Sequence, residues 1–366
     1  MKVLHVFKTY LPDSFTGIER VIWQIAEGLA PLGVETTVLS VSDKPVAGPY
    51  RVGRHSAYQA KRDFYVASTG LSVSAFKVFR ELSARADIVH YHFPWPLMDL
   101  MHLMVRPKCP SIVTYHSDIV RQRLLNYFYR PLMFRFLNRV DRIIATSPNY
   151  AASSTVLKHY KRKTSIISIG LVDQVAPPEA LVARWRQQVG EGFFLFIGAL
   201  RYYKGLPFLL EAAKKTGLPV VIAGSGEMAA DIEAYRFPHI KLVQHFSELD
   251  KAALLSLCRA FVFPSHLRSE AFGVALLEAA RAAKPMITCE IGTGTTYVNV
   301  HGETGLAINP RDVDALAKAM QSLAGQPDVA SAMGLAARAR YEHLFRGEVM
   351  CERYLSLYRD LSSARL

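Results

Sequence analysis

Residues 260–283 read Ala-Phe-Val-Phe-Pro-Ser-His-Leu-Arg-Ser-Glu-Ala-Phe-Gly-Val-Ala-Leu-Leu-Glu-Ala-Ala-Arg-Ala-Ala. Ala260 to Phe263 is a short apolar run stopped by Pro264, the pattern of a buried strand. Ala275 to Ala283 is dense in Ala and Leu, the strongest helix formers, so a helix should start near Phe272. Strand, loop and helix make half of a βαβ unit. Its strand is apolar throughout because helices cover both faces of a parallel sheet. The same logic extends outward. Phe193 to Ile197 lies between Gly192 and Gly198, and Val220 to Ala223 precedes Gly224-Ser225-Gly226. Pro285 to Thr288 is another short strand, and Asp312 opens a helix.

The first half repeats the pattern. Val3 to Phe7, Thr36 to Leu39, Ile88 to His92, Ser111 to Tyr115, Arg142 to Thr146 and Ser165 to Ile169 read as strands, with a helix from Arg20 to Leu32. Gly170 to Gly190, with Pro177-Pro178 inside it, reads as a linker. The 366 residues therefore divide near residue 180 into two α/β domains, 1–180 and 181–366. Each is a Rossmann-like, doubly wound sheet, and the last helix is able to pack back on the N-terminal domain. Two such domains facing each other form a deep cleft where the carboxyl ends of the strands present their loops.

Half the residues are hydrophobic and a fifth are charged, an ordinary globular balance. No run of 18 uncharged apolar residues is present to span a membrane. Met1 to Tyr10 reads as a strand rather than a signal peptide. Cys109, Cys258, Cys289 and Cys351 are scattered and form neither a disulfide framework nor a metal set, which suits a reducing cytoplasm. The net charge of +13 is lopsided: residues 1–180 hold 23 Lys/Arg against 13 Asp/Glu. That excess suits an anionic partner, a membrane surface, phosphorylated acceptor or nucleic acid; a solvated basic surface gives the same count.

Glu270 falls in the loop before the helix and Glu278 about two turns in, ~10 Å away at the helical rise. That is comparable to the span from the sugar to the ribose of a nucleotide diphosphate sugar. The helix N-terminus between them offers free N–H groups to a diphosphate. A loop acid plus an unrelated surface glutamate would look the same. Lys204, in Gly198-Ala199-Leu200-Arg201-Tyr202-Tyr203-Lys204-Gly205, follows a strand and is placed to neutralise a departing diphosphate, or is simply a turn lysine. Gly224-Ser225-Gly226 reads as a strand-to-helix turn before it reads as a phosphate loop. Gly17, in Thr16-Gly17-Ile18-Glu19-Arg20, lets backbone approach a ligand. No G-x-G-x-x-G is present, which argues against a dinucleotide dehydrogenase.

His90, His92 and His116 each end a predicted strand, where ligand-facing loops begin. His90 and His92 share one strand face, but no carboxylate or cysteine set completes a metal site. Asp312-Val313-Asp314 matches a metal-binding D-x-D pattern, yet acids in a first helical turn are expected for capping. Residues 130–142 read as a helix with Pro131 near its start. Met133, Phe136, Leu137 and Val140 would form its apolar face. Arg135, Arg139 and Arg142, with Arg121, Arg123 and Arg130 nearby, would form a basic one that contacts either water or anionic lipid.

At these motifs the sequence resembles glycosyltransferase family 4, retaining enzymes of the GT-B fold. The E-x7-E element falls on Glu270 and Glu278, the glycine–lysine element on Gly198, Lys204 and Gly205, and the early glycine turn on Gly17. The strings VLHVFKTY, GIERVIWQIAEGLA, DIVHYHFPWPL, YHSDIV, ATSPNY, GALRYYKGL and IGTGTTYVN resemble the bacterial O-antigen mannosyl- and rhamnosyltransferases. Many members carry Arg directly after the glycine of the first motif. Here Ala199 stands there, and Arg201, two residues on, would be the residue to replace that contact to the diphosphate.

The resemblance implies a sugar transferred with retention, first of all mannose or rhamnose from a GDP-sugar, and no metal or other cofactor. It implies Glu270 on the donor-sugar hydroxyls, Glu278 on the ribose, and Lys204 with the Phe272-Gly273-Val274 backbone on the diphosphate. His116 would lie near the reacting carbon or the acceptor. The acceptor would be a lipid-linked saccharide of a cell-surface polysaccharide, met at the inner face of the cytoplasmic membrane by a peripheral enzyme. Two alternatives stand beside it: a nucleotide-sugar 2-epimerase of the same fold, and a non-enzymatic nucleic-acid-binding protein drawn by the positive charge.

Overall fold

The computed structural model describes residues 1–66, 69–119, 123–235 and 237–364, the side chains of 123–126 excepted. The chain forms two compact units: Met1–Val172 with Gly347–Leu366, and Asp173–Arg346.

The first unit is built on an eight-stranded sheet. Its order is Thr164–Ile166, Arg142–Ala145, Ser111–Tyr115, Ile88–Phe93, Lys2–Val6, Glu35–Ser42, His55–Lys61, Pro49–Val52. Neighbours run parallel except for the last pair. Ile88–Phe93 and Ser111–Tyr115 are buried at every position, as strands covered on both faces must be. After Lys2–Val6 the chain first builds to one side, through Glu35–Ser42. It later returns to the other side with Ile88–Phe93. The carboxyl ends of these two central strands therefore flank a topological switch point, where α/β sheets bind ligands.

The second unit has a six-stranded parallel sheet in the order Ile240–Val243, Val220–Ala223, Phe194–Ile197, Ala260–Phe263, Met286–Cys289, Gly305–Ile308. Its direction of growth reverses between Phe194–Ile197 and Ala260–Phe263. The loops that follow those two strands carry Lys204 and Glu270.

Several boundaries differ from the sequence reading. The units divide at Val172/Asp173 rather than at 180, because Pro177-Pro178 already leads into Glu179–Val189 of the second unit. Residues 347–366 belong to the first unit, not to a domain 181–366. Helix Gly347–Ser363 packs on helix Gly17–Leu29. A Cβ on Gly28 would lie 2.4 Å from Cys351 Sγ. The helix expected over 130–142 runs from Arg123 to Arg139 with Pro131 inside it. Arg142 opens the next strand and leaves the proposed basic face. Met133, Phe136, Leu137 and Val140 are buried, while Tyr127, Phe128, Arg135 and Arg139 are exposed. Arg121 lies outside the described residues, as does the Arg123 side chain. Among the described residues no helix is long and apolar enough to cross a membrane.

Candidate active site

In the second unit the two switch-point loops touch. Gly205 adopts φ 78°, and a Cβ there would fall 2.0 Å from the Pro264 carbonyl oxygen, so only glycine fits. This contact brings Lys204 to Glu270, and their side chains form an ion pair with little solvent exposure. The Lys204 ammonium also lies 4.7 Å from the Phe263 ring centre and 5.2 Å from that of Tyr203. Burial pulls the Lys204 pKa down, but the Glu270 carboxylate and Tyr203 outweigh it and hold it above the ordinary value. The lysine stays charged. Arg201 is exposed at the start of the turn Tyr202–Lys204.

Gly224 and Gly226 serve the fold. Their Cβ atoms would lie 2.0 Å from Gly198 O and 2.7 Å from Leu200 O, so they let two backbone segments touch. Asp312 accepts from Ala315 N at 2.8 Å as a helix cap, and Asp314 pairs with Lys215. The D-x-D pattern is thereby used within the second unit.

Helix Val274–Arg281 starts two residues later than expected. Gly273, at φ 86°, breaks it from Phe272 and offers no capping side chain; the Leu276 amide donates to Gly273 O at 2.9 Å, which leaves the Val274 and Ala275 amides for another partner. Phe272 itself is buried, edge-on to Phe345 at 6.2 Å. Glu278, the fifth residue of this helix, is buried and paired at 2.7 Å with Lys251 of helix Glu248–Leu257. Glu248 also reaches Lys251, at 3.0 Å. The sequence reading missed Lys251. The available signal was its position three and four residues before Leu254 and Leu255, on the buried stripe of its helix. A capping box of Ser247 and Asp250 fixes the start of that helix, and Trp185 Nε1 donates to Asp250 at 2.8 Å.

In the first unit, helix Gly17–Leu29 begins at Gly17 rather than Arg20. A Cβ on Gly17 would meet nothing within 4 Å, so no packing inside the unit requires glycine there. The preceding loop is tied back by Tyr10 OH to His55 Nε2 at 2.8 Å and His55 Nδ1 to Glu27 at 2.6 Å. Buried Glu19 accepts from Thr9 Oγ1 at 2.6 Å and Thr16 Oγ1 at 3.1 Å.

His116 lies just past strand Ser111–Tyr115. Asp118, two residues on, accepts from Tyr115 OH at 3.0 Å and Ser154 Oγ at 2.6 Å, which anchors the turn. His116 Nε2 meets His92 Nδ1 at 2.9 Å, and His92 Nε2 meets His5 Nδ1 at 2.9 Å. Burial holds the His116 pKa down at about 3, so the ring is neutral. His90 is held by Tyr358 OH and Thr114 Oγ1, each at 2.7 Å. Nitrogens of His5, His90 and His92 lie within 4.8 Å of one another, a spacing compatible with metal ligands. Five of the six hold hydrogen bonds, however, and only His5 Nε2 is without a partner among the described residues.

Two family profiles match the sequence. One, described as Glycosyltransferase Family 4, covers residues 15–172, and the other, Glycosyl transferases group 1, covers residues 179–340. The D-rhamnosyltransferase WbpZ of Pseudomonas aeruginosa is 49% identical, over 94% of this chain and 92% of that protein. The O-antigen chain mannosyltransferase C of Escherichia coli is 45% identical over 100% of both chains. This chain belongs to glycosyltransferase family 4. Among solved structures, sucrose-phosphate synthase from Thermosynechococcus elongatus superposes with a TM-score of 0.82 at 19% identity, over 99% of both chains. Anabaena HepE in complex with UDP-glucose gives 0.78 at 15%, over 98% of this chain and 100% of that one. This family-4 enzyme thus has the GT-B fold, two Rossmann-like domains. It is a glycosyltransferase, and the epimerase and nucleic-acid-binding alternatives fall away.

Proposed function

We propose that this enzyme transfers mannose or rhamnose from a GDP-sugar, with retention and without a metal, to a lipid-linked saccharide of the O-antigen type. The observation that carries this is its identity of 45–49% to a mannosyl- and a rhamnosyltransferase over nearly the whole chain. Lys204 and Glu270 neutralise each other across the two loops. An arriving donor exchanges partners with them: its diphosphate takes the ammonium and its sugar hydroxyls take the carboxylate. The first-turn amides around Phe272, Gly273 and Val274 and the exposed Arg201 add positive potential for the diphosphate. Glu278 shares its carboxylate between Lys251 and the ribose. Gly17 gives the donor phosphates close access to backbone, and His116 contacts the donor sugar or acceptor. Because charge on the diphosphate grows as the sugar leaves, the fixed Lys204 cation stabilises the transition state more than the ground state. The diphosphate takes the proton of the attacking hydroxyl.

The enzyme works at the inner face of the cytoplasmic membrane. Tyr127, Phe128, Arg135 and Arg139 are exposed on one helix, an aromatic end and a basic shaft suited to an anionic bilayer. To test the reaction, purified enzyme is given GDP-mannose, GDP-rhamnose or UDP-glucose with a lipid-linked saccharide, in excess chelator. Transfer from a GDP-sugar with the donor's anomeric configuration kept is expected. Transfer only from UDP-glucose, inversion, or activity that returns only with added magnesium or manganese would overturn the corresponding part.

A further inference from the structure

The buried imidazoles of the first unit form an ordered chain from His5 through His92 to His116. Each link is a 2.9 Å contact between ring nitrogens. A neutral imidazole has one N–H and one lone pair, so each link needs one of each, and all the protons must point the same way. Two arrangements remain. If they point toward His5, that residue carries Nε2–H, buried and without a partner among the described residues. If they point toward His116, the same atom holds only a lone pair. Orphaned buried N–H groups are the rarer of the two. The second arrangement puts protons on Nδ1 of His5, Nδ1 of His92 and Nδ1 of His116.

Stacking keeps the rings in line. His90 lies 4.4 Å from His92 at 25°, and His92 lies 5.2 Å from His116 at 20°. His90 cannot rotate without losing Thr114 and Tyr358. Among the described residues, His116 Nδ1 has no hydrogen-bond partner, so that nitrogen is left for a ligand.

We infer that His5 and His92 are positioning residues that lock His116 in its Nδ1–H form, so that His116 meets the substrate as a neutral hydrogen-bond donor and not as a base. This rests on the proposal that His116 contacts the donor sugar or acceptor. A donor of this kind can hold a sugar hydroxyl oxygen but cannot take the attacking proton, which is left to the diphosphate.

Nitrogen-15 NMR of the full chain at pH 7.5 tests it, with the His116 signal assigned through His116→Gln. A protonated Nδ1 and bare Nε2 are expected; a protonated Nε2, or a cationic ring, overturns the inference. In His92→Phe the Nδ1–H preference should be lost and turnover should fall at least tenfold with the donor KM little changed. His92→Gln, whose amide can still donate to His116, should recover much of that turnover. An unchanged His116 tautomer in His92→Phe also overturns it. Should His92→Phe fail to fold, His5→Leu poses the same question one ring farther away. Normal transfer by His116→Ala would instead remove His116 from the reaction, while the tautomer measurement would still decide the relay.

Discussion

Unfolding this protein in mild acid should take up protons in an unusual number. In the folded chain, burial holds His5 and His116 down at about 3 and His102 at about 4, and lowers His90 and His92 well below the ordinary range. In the unfolded chain each histidine titrates at about 6.5. The unfolded state therefore binds more protons below that value, and stability falls as pH drops from about 6.5 toward the folded values. Asp99 acts the other way. Burial raises its pKa well above the ordinary range, so it arrives protonated in the fold and releases its proton on unfolding. At pH 5.5 these five imidazoles should gain roughly 0.9 proton each, His55 and His266, which burial also lowers, should add to that, and Asp99 should return at most about one, a net uptake of about three to four or more. Each proton is worth about 1.4 kcal/mol per pH unit. The stability lost is then roughly 4–5 kcal/mol per unit, comparable with the whole stability of a small domain. Guanidinium unfolding in weakly buffered solution with a pH indicator counts the protons directly. An uptake of one proton or fewer at pH 5.5 would show that the histidine stack is not held neutral.

Glu278→Gln should weaken binding of GDP by about 10- to 100-fold, the loss of a charged hydrogen bond of roughly 1.5–3 kcal/mol; unchanged affinity in calorimetry would take the ribose role away from it. Lys204→Met should lower kcat by roughly 10²–10³-fold, as loss of one transition-state donor does elsewhere, with a smaller change in KM; a normal kcat with only a raised KM would make Lys204 a ground-state contact. The double variant Arg135→Glu/Arg139→Glu should still bind nucleotide but lose co-sedimentation with anionic vesicles at low salt, since each basic residue contributes about 1 kcal/mol at such a surface; equal co-sedimentation would make this a solvated helix face.

The central strands were legible because they are covered on both faces, and continuous apolar runs such as Phe194–Ile197 and Ala260–Phe263 have few other readings. The edge was not. Pro49–Val52 and His55–Lys61 are partly exposed and polar, and no apolar run marks them. Helix Arg123–Arg139 was read too short because Pro131 looks like a start, although the helix tolerates it inside. At the site, Glu270 and Lys204 were visible from strand ends and glycines, but their pairing across 66 residues was not. It depends on Gly205 backing onto Pro264, a tertiary contact. Gly273 shifted the helix start through a positive φ that composition does not show. Lys251 was hidden for a different reason: a lysine on a buried stripe makes sense only once Glu278 is opposite it.

The two units treat their buried titratable groups in opposite ways, and the difference follows the chemistry proposed for each. The second holds charges, Lys204 with Glu270 and Lys251 with Glu278, each carboxylate paired with a cation. Such pairs cost desolvation and add little net stability, and breaking one leaves an uncompensated charge. Their use lies in exchange: a ligand that carries its own anion can replace one partner with no new charge buried alone. A diphosphate sugar brings both an anion for the lysine and hydroxyls for the carboxylate. The first unit holds imidazoles that burial keeps neutral, joined by directional hydrogen bonds. A fixed cation there would stabilise the neutral acceptor hydroxyl little before reaction. A fixed neutral donor would instead orient a hydroxyl of the donor sugar or acceptor, and its direction depends on which nitrogen holds the proton. On the function and tautomer proposed above, the electrostatic work of sugar transfer falls on the unit that carries the paired charges, and the geometric work on the unit that carries the imidazole chain.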